Sequence, residues 1–396
     1  MSMNEQMKES ETSILHTYNR FPVVFEKGQG CYLYDSEGKE YLDFAAGIAV
    51  NSLGYHYPGY DEALKDQIDK LMHISNLYYN EPIIDAGAKL VKASKMSKAF
   101  FTNSGTEAIE GALKAAKKYA YVRDGHADHE IIAMNHSFHG RSIGALSVTG
   151  TAHYREPFEP LMGGVKFADF NNLESVKAQI TDKTCAIITE VVQGEGGIYP
   201  AKKEFLEGLR QICDEKDIML IFDEIQCGMG RTGHYFAWQA YGVQPDIMTS
   251  AKALGCGVPV GAFVLNEKAA KASLEPGDHG TTYGGNPFVC AAVSKVFDIY
   301  ENDKIIGHVQ EMTPYLEQKL DEIVAKHECA ATRRGMGFMQ GIVIQGRPVG
   351  EVVKAALAKG LLVISAGSDV LRIVPPLVIT KEHIDKMASI LDECME

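Results

Sequence analysis

Short apolar runs alternate with amphipathic helical patterns through the middle of the chain, and this alternation limits the possible folds more than any other sequence feature. The helical patterns cover residues 106–119 and 204–216. Runs that are apolar throughout are typical of strands buried on both faces, which need helices on either side. We therefore predict an α/β fold with a mostly parallel sheet flanked by helices. The runs interpreted as strands are residues 99–101, 131–134, 186–188, 218–222 and 261–265.

The two ends of the chain carry a different pattern. Near the N-terminus, short strand patterns are separated by turn residues, which predicts an antiparallel meander with strands at 23–25, 32–34 and 41–44 and turns at 28–30 and 35–38. Near the C-terminus, helical patterns at 315–326 and 349–358 mix with strand patterns at 338–344 and 371–374. We predict a large α/β domain over residues 59–295 and a smaller α+β domain formed jointly by residues 1–58 and 296–396.

The charge balance of the chain excludes some functions and favours others. Lys and Arg total 39 against 52 acidic residues, a formal net charge of -13. A chain this acidic is a poor binder of nucleic acid, because the phosphate backbone requires clustered cations. An anionic substrate would have to be attracted by particular arginines.

Targeting and cysteine patterns predict a cytoplasmic protein. The N-terminal residues are polar and acidic, with no apolar core for a signal peptide, and no apolar run reaches the ~18 residues of a membrane helix. The eight cysteines are scattered, with no C-x-x-C pair. This distribution argues against a disulfide framework or a zinc site and for a reducing compartment.

An acidic residue closes one of the predicted buried strands. The run IFDEIQ at 221–226 places Asp223 where the strand ends, and ligands of open α/β sheets bind at that edge. Asp223 is therefore a candidate site residue. The alternative is an aspartate that only caps the following turn.

Lys252 lies in a stretch that is otherwise free of charge. It is the only charged residue between Asp246 and Glu267, among small and apolar neighbours. A partly desolvated lysine has a lowered pKa and becomes a nucleophilic amine, as Schiff-base chemistry requires. The alternative is an ordinary solvated surface lysine.

The run FTNSGTEA at 101–108 leads from a strand through a polar turn into a helix. Helix N-termini offer free N–H groups and the positive end of the helix dipole, so this turn is a candidate phosphate site. Ser104 and Glu107 also fit an ordinary capping box, which needs no ligand.

Three other patterns indicate different chemistry but are weaker. The run GMGRTG at 228–233 fits the dinucleotide pattern of an NAD-linked oxidoreductase, although no amphipathic helix follows it directly. His136 and His139 have a spacing that suits two metal ligands, without a motif-spaced third. Glu190 and Glu195 could form a glycosidase pair, but the Gly-rich run between them fixes no separation of the carboxylates.

A strand-end aspartate, an isolated lysine and a phosphate-type turn together meet the requirements of pyridoxal 5'-phosphate (PLP) chemistry. At this point the chain resembles the class III (ω-amino) aminotransferases of PLP fold type I. The resemblance runs from about residue 18 to 377. Its motifs are YNRFP at 18–22, GIAVNSLG at 47–54, SNLYY at 75–79, FTNSGTEA at 101–108, FHGR at 138–141, IFDEIQ at 221–226, SAKALG at 250–255, HGTTYGGNP at 279–287 and LRIVPPL at 371–377.

The resemblance implies roles for residues around the cofactor. Lys252 would hold PLP as a Schiff base and move protons, and Asp223 would pair with the pyridine nitrogen. The other residues expected at the cofactor are Gln226 near its phenolic oxygen, Phe138 stacked on its ring, Ser104, Gly105 and Thr106 at its phosphate, and Thr282 reaching that phosphate from the second subunit of a homodimer.

The resemblance also implies roles on the substrate side, with no metal involved. Arg141 resembles the arginine that binds the carboxylate at the far end of the substrate. Glu195 and Arg372 look like a paired switch that lets one pocket accept both an ω-amine and glutamate. Thr281 is expected near the substrate, and Tyr18 near its carboxylate.

The implied reaction transfers the ω-amino group of N2-acetyl-L-ornithine to 2-oxoglutarate, giving N-acetyl-L-glutamate 5-semialdehyde and L-glutamate in arginine biosynthesis. Ornithine, succinylornithine, succinyldiaminopimelate and 4-aminobutyrate stay open as donors, and a non-catalytic binding protein is a further alternative. Two departures from the family pattern lie near the expected pocket: EVVQGE at 190–195, where the family often has Glu-Pro, and Cys256 in place of a common glycine.

Overall fold

The apolar runs in the middle of the chain form one central sheet in the computed structural model, which describes residues 2–396. All five predicted strands belong to this sheet. The strands of the chain are β1 (Phe25–Gln29), β2 (Tyr32–Asp35), β3 (Glu40–Asp43), β4 (Lys98–Thr102), β5 (Glu130–Met134), β6 (Val165–Ala168), β7 (Thr184–Glu190), β8 (Val192–Gln193), β9 (Tyr199–Pro200), β10 (Met219–Asp223), β11 (Ile247–Ser250), β12 (Gly261–Leu265), β13 (Ala330–Met336), β14 (Met339–Ile344), β15 (Leu361–Leu362), β16 (Ile364–Ala366) and β17 (Val370–Ile373).

Helices connect and cover these strands. Besides the α-helices, the chain has single turns of 3₁₀ helix at Glu156–Phe158 and Lys252–Leu254. The α-helices are α1 (Met3–Ser13), α2 (Ala46–Ala49), α3 (Tyr60–Lys70), α4 (Glu81–Ser94), α5 (Gly105–Asp124), α6 (Ile143–Ser147), α7 (Ala152–Arg155), α8 (Leu173–Gln179), α9 (Lys203–Lys216), α10 (Trp238–Tyr241), α11 (Glu267–Lys271), α12 (Pro287–Asn302), α13 (Ile305–Lys326), α14 (Val349–Ala358) and α15 (Lys381–Met395).

The central sheet has the strand order β4-β12-β11-β10-β7-β5-β6. Every strand runs parallel to its neighbours except β12, which is antiparallel to both β11 and β4. The prediction of a mostly parallel sheet flanked by helices is confirmed. Because parallel strands end at the same edge, side chains that follow β4, β5, β7, β10 and β11 are brought together there.

Helix α5 packs closely on this sheet because its buried face is made of small residues. Ala112, Ala115, Ala116 and Ala120 are fully buried. At Gly111, an added Cβ would lie 2.2 Å from the Phe263 ring of β12, so only glycine permits this approach. Helix α5 begins with Ser104 as its N-cap and ends before Gly125, whose backbone is left-handed. The N-cap Ser104 therefore sets where α5 starts, and this start forms part of the candidate site.

The ends of the chain meet in a separate sheet with the order β1-β2-β3-β15, in which β3 pairs in parallel with β15. The predicted first strand at 23–25 and turn at 28–30 are wrong, because β1 continues through Gly28. An added Cβ at Gly28 would lie 2.4 Å from the Tyr55 side chain, so this glycine serves a close contact rather than a turn. The domain boundaries at 58 and 295 stay a proposal; the second falls inside α12.

Helix α13 begins ten residues before the predicted start at 315. Pro314 lies inside it, a residue that lacks the N–H for the helical ladder and usually interrupts helices. Buried apolar residues before and after Pro314, among them Val309 and Leu316, hold the helix in place. Within residues 2–396, no helix is both long enough and apolar enough to cross a membrane.

Candidate active site

A cavity of about 490 Å³ lies at the carboxyl edge of the central sheet. Its walls come from the turns that follow β4, β5, β7, β10 and β11, together with the start of α5. The lining includes nine of the predicted site residues: Ser104, Gly105, Thr106, Phe138, Arg141, Glu195, Asp223, Gln226 and Lys252. The predicted residues that are distant in sequence thus meet in one place.

Asp223 ends β10 and is held by three donors from different segments. Its Oδ2 lies 2.7 Å from Nδ1 of His139, and its Oδ1 accepts from the Thr249 hydroxyl at 3.2 Å and from the Ile225 N–H at 3.0 Å. The carboxylate is buried. A carboxylate fixed in this way can stabilise a positive charge placed in the cavity, which a turn-capping aspartate facing solvent would not do.

Lys252 follows β11 and begins the short 3₁₀ turn. Its φ of +49° is in the left-handed region, which costs a residue with a side chain about 1–2 kcal/mol. Strain of this kind is found at sites where function requires one geometry. Burial lowers the pKa of Lys252 to about 8, although the Glu195 carboxylate opposes this shift. A neutral amine is therefore accessible near neutral pH.

The N-terminus of α5 opens into the cavity with unused donors. Ser104 accepts from the Glu107 N–H, but the Glu107 carboxylate bonds the N–H of Asn103 at 2.7 Å, so the reciprocal half of the predicted capping box is missing. In the part of the chain that the structure describes, the N–H groups of Gly105 and Thr106 have no acceptor. These two groups at the start of a 20-residue helix suit a phosphate.

Glu195 and Arg372 form a two-bond ion pair at the edge of the cavity. The Arg372 Nη1 lies 2.5 Å from Oε1 of Glu195, and Nη2 lies 3.2 Å from Oε2. Gln226 joins the pair by accepting from Arg372 at 3.1 Å and donating to Glu195 at 3.3 Å. Burial opposes ionisation of Glu195, but the Arg372 guanidinium outweighs burial and lowers the pKa of Glu195.

Arg141 is a cation of the cavity that has no ion-pair partner in the described chain. It is exposed, and no residue between positions 2 and 396 forms an ion pair with it. Its guanidinium lies over the Tyr154 ring, 4.1 Å from the centroid, and 5.4 Å from that of Phe138. Aromatic faces hold the guanidinium in place without neutralising it, so it is available to bind a carboxylate.

Four of the predicted residues do not line the cavity: Arg372, which pairs with Glu195 at its edge, and Tyr18, Thr281 and Thr282. Tyr18 has 71% of its surface exposed and Thr282 is also exposed. Thr281 is closer, since its hydroxyl accepts from the side chain of Asn103, which does line the cavity, at 3.2 Å. The single chain therefore supplies neither Tyr18 nor Thr282 to its own site.

Two titratable residues of the cavity, His139 and Glu190, were considered from the sequence only for other chemistry and were not predicted for this site. His139 is buried against Asp223, with its Nε2 unpaired within the described chain. Glu190 ends β7 directly beside Asp223, because the two residues are register partners on parallel strands. The strand-end position of Glu190 is the signal that could have identified it.

The weaker patterns do not form sites of their own. The run 228–233 opens no helix, since the next one is the short α10, and the prediction of an NAD-type loop is not supported. His139 uses its Nδ1 on Asp223 rather than on a metal. Within residues 2–396, the only three-residue group with metal-ligand spacing is Asp124, His126 and His129, and none of these lines the cavity.

The residues of the cavity fit PLP. A helix N-terminus with free N–H groups, a fixed carboxylate, an aromatic ring and a lysine of lowered pKa match the phosphate, the pyridine nitrogen, the ring and the aldehyde of this cofactor. Gly105 contributes by its lack of a side chain, because a Cβ there would lie 2.9 Å from Ile225.

Comparison with known proteins gives the family of the chain. The family described as aminotransferase class-III matches residues 14–395. An acetylornithine aminotransferase of Clostridium acetobutylicum is 47% identical over 388 residues, 98% of this chain and all of that protein. Among solved structures, the N-acetylornithine aminotransferase of Stenotrophomonas maltophilia is 35% identical with a TM-score of 0.84, covering 98% of each chain.

A second solved structure connects the fold with the cofactor. An ornithine aminotransferase of Toxoplasma gondii, in which PLP partially occupies the active site, superposes with a TM-score of 0.95 at 28% identity, covering 100% of this chain and 94% of that one. The match extends over the whole described chain, including both ends. The chain belongs to the class III aminotransferases, a family of PLP-dependent enzymes of PLP fold type I.

Proposed function

We propose that this enzyme transfers the ω-amino group of N2-acetyl-L-ornithine to 2-oxoglutarate, forming N-acetyl-L-glutamate 5-semialdehyde and L-glutamate. The observation that carries the proposal is a single cavity in which a lysine of lowered pKa, a fixed carboxylate and an unpaired arginine converge. The full-length similarity to a protein named acetylornithine aminotransferase supports this donor.

The residues that would hold the cofactor are those identified from the sequence. Gly105 and Thr106 would bind the phosphate through their N–H groups, with Ser104 beside them, and Phe138 would cover the ring. Gln226, which bonds both members of the Glu195–Arg372 pair, would lie near the phenolic oxygen. When bound, PLP supplies an electron sink for the charge that develops on the substrate carbon.

Lys252 would act as both general base and general acid. Its Nζ, with a pKa of about 8, can take a proton from the substrate carbon and return one on the other side of the transfer. Such proton transfer contributes about 10²–10⁴-fold to a rate. Asp223, held by three donors, would keep the facing ring nitrogen protonated.

Substrate selection would divide between two arginines. Arg141 would bind the α-carboxylate of acetylornithine and the distal carboxylate of 2-oxoglutarate, because its guanidinium has no carboxylate partner of its own. Arg372 would bind the α-carboxylate of glutamate only after Glu195 moves away from it. With Glu195 in place, the pocket would favour the ω-amine donor.

A homodimer would complete the site. Asn76 donates to the Gly284 carbonyl at 2.8 Å, and the His73 and Tyr283 rings lie 5.2 Å apart, so residues 72–79 and 282–284 share one surface. That surface exposes large apolar side chains, among them Leu77, Tyr79 and Tyr283. A second copy of the chain is the occupant we propose, because it would cover this patch and carry Thr282 to the partner's phosphate site.

Two further parts of the proposal concern the enzyme's setting. We place the reaction in arginine biosynthesis, which the donor implies. We also place the enzyme in the cytoplasm, which the eight free cysteines, seven of them buried, support.

A comparison of donors tests the proposal. The purified enzyme with PLP and 2-oxoglutarate is given acetylornithine, ornithine, succinylornithine, succinyldiaminopimelate or 4-aminobutyrate, and kcat/KM is measured for each. We expect the highest value for acetylornithine. A higher value for another donor would keep the chemistry but replace the substrate, and no activity with any donor would contradict the proposed function.

A further inference from the structure

Glu190 connects two turns of the active site through one carboxylate. Its Oε2 accepts from the Phe138 N–H at 3.2 Å, and its Oε1 accepts from the Gly194 N–H at 3.2 Å. Phe138 and Arg141 belong to the turn after β5, and Glu195 directly follows Gly194 in the turn after β8. The side chain is buried and lines the cavity.

Glu190 is surrounded by ionisable groups. It faces His139 from the turn after β5, Asp223 from β10, Lys252 from the turn after β11 and Cys227 beyond β10. Burial, opposed by His139 and assisted by the neighbouring Asp223, raises the pKa of Glu190 to about 7. The ionised carboxylate is the better acceptor for the two N–H groups.

We infer that Glu190 is a positioning residue that fixes the aromatic turn at 138–141 against the switch turn at 193–197. The inference rests on the proposed transamination. In that reaction the role of Glu190 is to set the distance between the Phe138 ring and the Glu195–Arg372 pair. No other residue between positions 2 and 396 bonds both turns through one side chain.

Glu224 is a matched control. It is also buried, and burial raises its pKa to about 7 as well. Its two oxygens accept from the N–H groups of Ala237 and Trp238, each at 2.8 Å. It does not line the cavity. Replacing either glutamate by glutamine removes the charge and leaves one acceptor oxygen for two donors.

Hydrogen exchange of the PLP-bound enzyme tests the inference without turnover. At fixed pH, Glu190→Gln should speed amide exchange in peptides covering 138–141 or 193–197 by roughly tenfold to a hundredfold, the range for losing a charge-assisted hydrogen bond. Glu224→Gln should speed exchange only near residues 237–238. If Glu190→Gln does not fold, Glu190→Asp, which is one methylene shorter, replaces it.

A pH profile separates positioning from a structural role. With glutamate as donor, wild type and Glu224→Gln should share a rise in kcat/KM near pH 7, as Glu190 ionises, and Glu190→Gln should lack it. Unchanged exchange in both turns, or the same pH profile in all three proteins, would overturn the inference. Because the exchange measurement needs no substrate, its result stands even if the donor proves to be another ω-amine.

Discussion

Asp223 is held so firmly that its charge, rather than its position, is the property to test. Asp223→Asn should keep the contact with Thr249 but lose the negative charge that we propose keeps the ring nitrogen of PLP protonated. We expect the single-turnover rate to fall by about 10²–10³-fold, the usual cost of removing one preorganised electrostatic group.

Asp246→Asn is the control for Asp223. Asp246 is a buried aspartate that pairs with Arg210 and accepts from the Leu220 N–H, and it does not line the cavity. It should lower stability and leave the single-turnover rate near that of wild type. Unchanged single-turnover rates in Asp223→Asn, with only PLP affinity reduced, would make Asp223 structural.

Arg141→Ala should lower kcat/KM for acetylornithine and for 2-oxoglutarate by roughly 30-fold to several-thousand-fold. This range corresponds to about 2–5 kcal/mol for losing one partner of a charge pair that the bound substrate would desolvate. A simple amine of similar length without a carboxylate should be much less affected. Equal losses for both kinds of donor would mean that Arg141 only braces the turn carrying Phe138.

The sequence indicates the candidate site residues better than the contacts between them. Asp223 is indicated by its position at the end of a strand, and Lys252 by the charge-free stretch around it. The resemblance adds Arg141, Glu195 and Arg372. The bond between His139 and Asp223 is not visible, because it joins turns separated by 84 positions. The same holds for Glu190, whose place beside Asp223 depends on the register of two strands that are 33 residues apart in the chain.

At the scale of elements, the turn between β8 and β9 and the strand β17 carry the Glu195–Arg372 pair that we propose as the switch. Glu195→Ala should expose Arg372 and speed the half-reaction with glutamate relative to the half-reaction with the ω-amine donor. Rapid-mixing measurement of the two half-reactions gives this ratio directly.

Glu317→Ala is the control for the switch, since Glu317 also pairs with an arginine, Arg333, at 3.2 Å, and neither residue lines the cavity. It should leave the ratio unchanged. If Glu195→Ala also leaves the ratio unchanged, the pair does not act as a switch, although the transaminase assignment would stand.

Strand and helix patterns predicted the elements more reliably than the sheet topology. The apolar run of β12 was identified with its bounds, but nothing in it indicates that this strand runs antiparallel between β11 and β4. Likewise the turn-like glycines at 28–30 suggested an early end to β1, whereas Gly28 is required by the Tyr55 ring packed against it. In both cases, contacts between residues that are distant in sequence determine the structure.

At the scale of the whole molecule, the exposed Thr282 predicts that each site is built from two chains. Co-expressed Thr282→Ala and Lys252→Ala chains would form heterodimers with one site lacking both residues and one intact site. Activity should therefore appear in the verified heterodimer above that of either homodimer. Heterodimers without such recovery would show that each chain builds its site alone.

The most direct measurement follows the transferred nitrogen itself. Acetylornithine labelled with nitrogen-15 at its terminal amine is incubated with the PLP-bound enzyme and 2-oxoglutarate, and the glutamate formed is analysed by mass spectrometry. We predict labelled glutamate from wild type. Lys252→Ala, which lacks the amine that we propose transfers the proton, should form it at least about 10²–10⁴-fold more slowly. Unlabelled or absent glutamate with wild type, or equal labelling by Lys252→Ala, would contradict transamination at Lys252.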